Sequence, residues 1–367
     1  LHSMLSRNPE AHQALPLGKW VKTAPSSIYD EGAAIVTFFV YTDSIVAETY
    51  EDKVANHVSE WEMENFRVCY DDQVIFLCGA EVLPQGSVQT SMRGHFYHYC
   101  LNKNKDIADK IILAENFKKY LQNNHYPDLI TFEHDVASIS SLVVIFLESS
   151  GSIAELGVFC NISDVNKKLL IFVPSDEVEG DKKESFIYLG PLLFLKEKVN
   201  EKAFKIYPKP TNGSDYSEHL EIMADDLAEL LPRSGKFESF DPDNLGHIAF
   251  LICRIVHLVM PIKLKEILNC LKIIGINKYT LTEVERILFL LETLGFINIY
   301  PYGDLKYYYS MQARQNLKLG KNKTGFTIDE AGIFTDISVF INDNKLCSDK
   351  KRRLVLKGIK EKHNGHN

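Results

Sequence analysis

The stretch of this chain best equipped for chemistry is Phe146-Leu147-Glu148-Ser149-Ser150-Gly151-Ser152-Ile153-Ala154-Glu155-Leu156-Gly157. An apolar strand runs into Glu148, a hydroxyl-rich loop follows, and the pattern predicts a helix starting near Ser152. Backbone N–H groups at a helix start, joined by the Ser149, Ser150 and Ser152 hydroxyls, form a seat for phosphate or sugar oxygens. Glu155 falls one turn into that helix. A carboxylate buried beside a sugar pocket can attack an anomeric carbon or stabilise an oxocarbenium-like centre. The same residues also fit a capping arrangement, with Ser152 as N-cap and Glu155, three positions on, as its capping-box partner. Spacing leaves both open.

Other groups are weaker candidates. Arg93, in Ser91-Met92-Arg93-Gly94-His95, could grip a phosphate bidentately or be an ordinary surface arginine. His95 and His98 stand among Phe96, Tyr97 and Tyr99 with no acidic partner at ligand spacing, so no metal site is read there. Cys78 ends an apolar run, and burial there raises a thiol's pKa and disarms it as a nucleophile. No P-loop, GxSxG or HExxH pattern occurs. In the last third, Lys263, Lys265, Arg286 and Lys306 accompany Tyr300, Tyr302, Tyr307, Tyr308 and Tyr309, a set that could contact nucleic-acid phosphates. Glu283 and Glu285 would repel them, which keeps a protein-binding role open.

These residues need elements to position them. Short apolar runs over residues 72–79, 142–147 and 168–174 read as buried parallel strands. Helical spacing over 107–123, 132–140 and 152–160 interleaves with them, which predicts an α/β domain with a mostly parallel sheet. Ligands in such sheets bind at the carboxyl ends of the strands. That places Cys78 and Gly79, with the loop Glu148, Ser149, Ser150, Gly151 and Ser152, at the substrate end. A strand over 34–41 and a polar helix over 48–66 precede this domain, and residues 208–214 read as a linker. Beyond it, helices are expected over 220–231, 245–258, 263–273 and 282–294, the last capped by Thr280 or Thr282 and stopped by Gly295. A hairpin over 296–309 turns at Gly303-Asp304, giving the order of a winged helix-turn-helix. The tail carries eight lysines and arginines between Lys345 and Lys362 against Asp349 and Glu361, and reads as a solvated or disordered arm, with a nucleic-acid contact as the alternative. The division expected is 1–70, unassigned; 71–210, catalytic α/β; 215–345, winged-helix-like and nucleic-acid- or partner-binding; and 346–367, basic tail.

Composition bounds the function classes. Of 367 residues, Lys+Arg number 41 and Asp+Glu 49, a net charge of −8, which excludes a protein coating nucleic acid over its whole surface. At 45% hydrophobic and 25% charged, the chain can build a core, and disorder over most of its length is excluded. No apolar run approaches the roughly 20 residues of a membrane span, and the first residues lack a signal peptide's apolar region. Seven cysteines without CxxC spacing read as free thiols in a reducing compartment, hence a cytoplasmic protein.

The strand followed by Glu-Ser-Ser-Gly-Ser and then Ala-Glu-Leu-Gly resembles the signature of nucleoside 2-deoxyribosyltransferase-like domains, and within them the branch found in effector (toxin) proteins of bacterial retrons. In that family the glutamate of the Glu-Leu-Gly step is the nucleophile toward C1′, which the resemblance carries onto Glu155. Ile75-Phe76-Leu77-Cys78-Gly79 is similar to its first strand and substrate loop, and Ser185-Phe186-Ile187-Tyr188-Leu189-Gly190-Pro191 to a later segment. Phe132-Glu133-His134-Asp135 stands where the family places an acidic residue, so Glu133 or Asp135 would hold the attacking group or the leaving base. The similarity covers about residues 73–198. It departs at Ser150, where the branch usually has proline, and does not reach residues 1–70. The resemblance implies an N-glycosidase toxin of phage defence, with NAD as substrate rather than cofactor. It also implies a reverse transcriptase and its multicopy single-stranded DNA as restraining partners, with higher-order assembly left open. An ADP-ribosyl or deoxyribosyl transferase using the same residues, or a non-catalytic nucleic-acid-binding regulator with a nucleotide-sensing pocket, are the alternatives.

Overall fold

A computed structural model describes residues 48–117, 125–208, 217–232 and 236–364. The strand expected at 34–41 lies outside the described residues, as do all but the first residue of the expected linker. Chain order begins with α1 (Tyr50–Val58), β1 (Arg67–Val68), β2 (Ile75–Cys78), α2 (Met92–Lys103), α3 (Lys105–Ala108) and β3 (Ile111–Leu113). It continues through α4 (Leu129–Ile139), β4 (Leu142–Phe146), α5 (Ser150–Phe159), α6 (Ser163–Asn166), β5 (Leu169–Pro174) and β6 (Phe204–Tyr207). Then come α7 (Ser217–Leu230), β7 (Glu238–Ser239), α8 (Leu245–Val259), α9 (Leu264–Ile274) and α10 (Leu281–Thr293). Last are β8 (Asn298–Tyr302), β9 (Leu305–Tyr309), β10 (Leu317–Lys318), α11 (Glu330–Asn342) and α12 (Lys350–Asn364).

The central sheet has five strands in the order β3-β2-β4-β5-β6, all parallel. The fold is thus mixed α/β, with the parallel sheet as its organiser. Strand side chains alternate between two cores because successive Cβ atoms point to opposite faces. On one face Phe76, Cys78, Val143, Ile145, Ile171 and Val173 pack with α4, α5 and the later helices α8 to α10. On the other, Ile75, Leu77, Val144, Phe146 and Phe172 pack with Phe96 of α2 and Leu227 of α7. α7, placed by its sequence position with the C-terminal helices, therefore covers the sheet. The chain leaves β2 for one face and β4 for the other, which makes their carboxyl ends the switch point of the sheet, where doubly wound folds bind their ligands.

Two expectations are corrected. The helix predicted over 107–123 gives way to α3, β3 and a single 3₁₀ turn at Ala114–Phe117, with residues 118–124 outside the description. Ile111-Ile112-Leu113 is too short a run for periodicity to separate strand from helix, and parallel pairing with Ile75, Phe76 and Leu77 decides it. The basic tail is an ordered helix, not a solvated arm. Arg352, Val355, Leu356 and Ile359 of α12 are buried on one face, and Lys350, Lys351 and Lys357 remain exposed.

The later part follows the expected order. α8, α9 and α10 precede the antiparallel β8 and β9, and Ile262 extends the hairpin through mutual backbone bonds with Tyr308. Thr280 caps α10 and Glu283 completes the capping box, which accounts for the acid that sequence reading set against phosphate contact. Gly246 brings α8 against α4: a Cβ there would lie 2.2 Å from the Ser138 carbonyl oxygen. β1 pairs with both β7 and β10, so strands from either side of the parallel sheet in sequence join in a second small sheet. Among the described residues no helix is long and apolar enough to cross a membrane.

Candidate active site

The serines at the head of α5 resolve the two readings of Glu155. The helix begins at Ser150, not Ser152, and its N-cap is Ser149, whose hydroxyl accepts from Ser152 N at 3.1 Å. Ser152 is the N3 residue, and its hydroxyl accepts from the backbone N–H of Ser149 and Glu148 at 3.0 and 3.2 Å. The capping box thus closes between two serines, leaving Glu155 in the second turn with no part in it. Glu155 Oε2 is buried without a hydrogen-bond partner among the described residues. Such a group is costly in a folded protein and calls for an explanation, of which a catalytic role is one.

Glu133, on α4, stands near enough for its charge to act on Glu155. Burial pushes the Glu133 carboxyl up to about 7, with Arg93 opposing it. Glu155 is also pushed up to about 7, first by burial and next by the charge of Glu133, with Arg93 again opposing. The Cys78 thiol, at the end of β2, is raised well above its ordinary value by burial and then by Glu155 and Glu133. The structure therefore gathers Glu155, Glu133, Cys78 and Arg93 at the carboxyl ends of β2 and β4, with the thiol inert. Asp135 is placed elsewhere. It lies on the opposite side of α4, 1% exposed, with Oδ2 accepting from Arg286 Nε at 2.8 Å.

Arg93 and Glu148 hold the site together from inside. Arg93 is 3% exposed and donates to the carbonyls of Leu77 and Ala80 at 2.6 and 2.9 Å. It also grips Glu115 bidentately at 2.8 and 3.1 Å. Its guanidinium is an internal brace between the ends of β2 and β3 and a positive charge behind the two glutamates. Glu148 accepts from the backbone N–H of Met92 and Arg93 at 2.7 and 3.0 Å, filling the positive N-terminus of α2. Gly79 permits this convergence, since its φ of +145° suits glycine and a Cβ there would lie 2.9 Å from Arg93 Cδ. Ser150 and Gly151 remain exposed at the α5 N-terminus, open to a sugar or phosphate oxygen.

Glu115 is the residue that sequence reading missed. It follows β3 as Gly79 follows β2 and Glu148 follows β4, so a correct reading of β3 would have placed it. Of the four basic candidates in the last third, Lys263, Lys265 and Lys306 line one cleft of about 730 Å³, shared with Glu51, Glu266, Glu285 and Asp304. Lys263 there pairs with Glu266 at 2.9 Å. Arg286 is apart from them, engaged with Asp135. Among the described residues no cluster of His, Cys, Asp or Glu is arranged to hold a metal ion.

Residues 89–299, more than half of the chain, match the STM3845 retron effector protein family. The match takes in Arg93, Glu115, Glu133, Glu148 and Glu155 and extends through α10. Two Escherichia coli proteins are similar. The "Retron Ec73 putative ribosyltransferase/DNA-binding protein" is 24% identical over 243 residues, covering 57% of this chain and 76% of that protein. The "Retron Ec86 putative ribosyltransferase/DNA-binding protein" is 30% identical over 129 residues, covering 35% of this chain and 39% of that protein.

Proposed function

The chain belongs to the STM3845 retron effector family, and on that premise we propose that it cleaves an N-glycosidic bond of a nucleotide, with NAD as the leading substrate. The observation that carries this reading is Glu155 Oε2, buried with no hydrogen-bond partner among the described residues, on a carboxyl free of the capping box and raised by burial and by Glu133. Glu155 attacks C1′ as the bond to the base breaks, the bonding pair leaving with the base. Nicotinamide leaves neutral from its pyridinium and needs no proton. Water then attacks C1′ of the glycosyl ester, Glu133 takes the water's proton, and Glu155 is released as carboxylate. NAD is consumed as substrate, and no cofactor enters the scheme. Ser150 and Gly151 at the start of α5 are proposed to receive sugar or phosphate oxygens. The relatives' names speak of ribosyl transfer, and the same two carboxylates serve a transferase when another acceptor replaces water.

In this reading the parallel-sheet part is a nucleoside deoxyribosyltransferase-like catalytic unit. The α8, α9, α10 and hairpin part is a winged-helix-like unit binding DNA or a protein partner. The effector is a toxin of anti-phage defence restrained by the retron reverse transcriptase and its multicopy single-stranded DNA. The test is nicotinamide release from NAD by purified protein, alone and with those partners. Wild type is expected to release nicotinamide stoichiometrically with NAD loss, and Glu155→Gln to reduce the rate by at least about 10³-fold. Equal trace release by both proteins would sink the proposal. The pH dependence is a second check. Because nicotinamide leaves unaided, the rate on NAD should rise as Glu155 ionises through pH about 7 and then level off. A falling limb above pH 7 would show that the proton on Glu133 is required and reverse its role.

A further inference from the structure

Helix α4 carries two acids with opposite surroundings. At 100° per residue, Glu133 and Asp135 stand about 200° apart around the helix axis. Glu133 stands on the side of Glu155, which feels its charge, while Asp135 turns into the body of the protein, toward α10. A carboxylate buried to 1% exposure needs a cation, and Arg286 Nε supplies it at 2.8 Å from α10. His134 Nδ1 approaches the other oxygen at 3.3 Å. The Arg286 guanidinium lies over the Tyr126 ring, 5.7 Å from its centroid, in the turn that leads into α4. Three residues further along α10, Phe289 stacks on His125 at 4.3 Å and meets Tyr126 edge-on at 6.2 Å. Tyr126 in turn packs against Phe132 of α4 at 5.1 Å. α10 thus holds both α4 and its approach, through a face that continues from an ion pair into an aromatic stack. Because α4 is one helix, a change in this grip that tilts or turns it carries Glu133 along.

We infer that Asp135 and Arg286 are a positioning pair, which pins α4 to α10 and so sets where Glu133 stands relative to Glu155. The seat of α10 then governs the catalytic site from the far side of α4, and whatever engages the C-terminal helices acts on the site through this contact. The inference rests on the glycosidase reading for its kinetic readout alone.

The experiment uses the full chain with Arg286→Ala and Arg286→Lys, measured in two ways. The first is the kcat and KM of nicotinamide release. The second is a carbon-13 NMR titration of glutamate carboxyls, in which the two that titrate near pH 7 are identified by their loss in Glu133→Gln and Glu155→Gln. The other groups facing the two glutamates, Arg93, Glu115 and Cys78, are the same in every Arg286 variant. Arg286→Ala is expected to lower kcat by about 10²-fold with little change in KM, as misplacement by about 1 Å does. It should also move the Glu155 midpoint downward as Glu133 withdraws, and Arg286→Lys should recover part of both. Should Arg286→Ala fail to fold, Arg286→Lys decides by the same readouts, since its shorter reach must shift both. Unchanged carboxyl midpoints in a folded Arg286 variant overturn the inference, whatever happens to kcat. If wild type releases no base from NAD, the glycosidase reading falls, while the carboxyl titration still decides the positioning role.

Discussion

A carboxylate that must attack carbon is useful only when ionised, and burial works against ionisation. Glu155 and Glu133 illustrate the conflict: both are raised from the ordinary carboxylate range to about 7, by burial first, and for Glu155 by its neighbour's charge next. Arg93, held behind them by Glu115 and two strand-end carbonyls, lowers both and keeps the ionised form within reach of neutral pH. This conflict has a consequence for stability. A carboxyl with a folded-state pKa above its unfolded value contributes stability that is fully present below pH 4.5 and is lost as pH rises through about 7. Glu155→Gln, neutral at every pH and nearly the same shape, escapes that loss. Its melting temperature should match wild type at pH 4.5, rise above it between pH 4.5 and 7, and keep a constant advantage beyond. Paired melting curves from pH 4.5 to 8.5 check this. An inactive variant that is also no more stable at pH 8 would show that Glu155 is solvated in the folded chain.

The elements show what a sequence carries plainly and what it hides. β2, β4 and β5 are legible because fully buried parallel strands are unbroken apolar runs, and α8, α9 and α10 because their apolar residues recur every three or four positions. β3 is hidden because Ile107 and Ile111 sit four apart, as on a helix, and only Ile75 to Leu77 alongside reveal the strand. β6, Phe204-Lys205-Ile206-Tyr207, lies on the opposite edge with Ile206 half exposed, so it lacks the apolar run of a central strand. The site divides in the same way. Glu155 and the serine loop were legible as a motif, whereas the identity of the N-cap, Ser149 or Ser152, depends on where the backbone enters the helix. Arg93 and Glu148 have the right composition for a ligand site, but their partners are the protein's own carbonyls and N–H groups and, for Arg93, the Glu115 carboxylate. Glu148 supports a prediction at this scale. Its carboxylate holds the first N–H groups of α2, so Glu148→Ala should destabilise the chain by about 1–2 kcal/mol. Urea denaturation at pH 7 measures it. A loss of substrate affinity with unchanged stability would return Glu148 to the substrate.

At a larger scale, the first and last of the described helices are tied into the middle of the fold. Tyr50 of α1 donates to the Val259 carbonyl at the end of α8. From the other end, Arg352 of α12, fully buried, reaches Glu266 of α9 with bonds of 2.6 and 3.1 Å. The Arg352 guanidinium lies 3.4 Å from the Tyr50 ring centroid and also donates to the Pro261 carbonyl. α1, α9 and α12, far apart in sequence, therefore meet on one buried cation. The net charge hides this, because Arg352 counts the same as the exposed lysines around it, and only the spacing of Arg352, Val355, Leu356 and Ile359 marks a buried face. Removing one partner of a buried pair leaves the other charge uncompensated, which costs about 3–5 kcal/mol. Arg352→Ala should therefore lose stability on that scale, strand Glu266 without its cation, and loosen α12. Glu266 is held below its ordinary value chiefly by Arg352, against burial, so in the variant it should protonate more readily. The stability deficit of Arg352→Ala should accordingly shrink as pH falls and Glu266 of the variant becomes protonated, since a neutral carboxyl no longer misses the guanidinium. Denaturation of both proteins in steps from pH 8 down to pH 4 reads this directly, and hydrogen exchange across 350–364 reports whether α12 has come loose. A deficit independent of pH would mean that Arg352 contributes through packing against Tyr50 and Tyr307, and not through its charge.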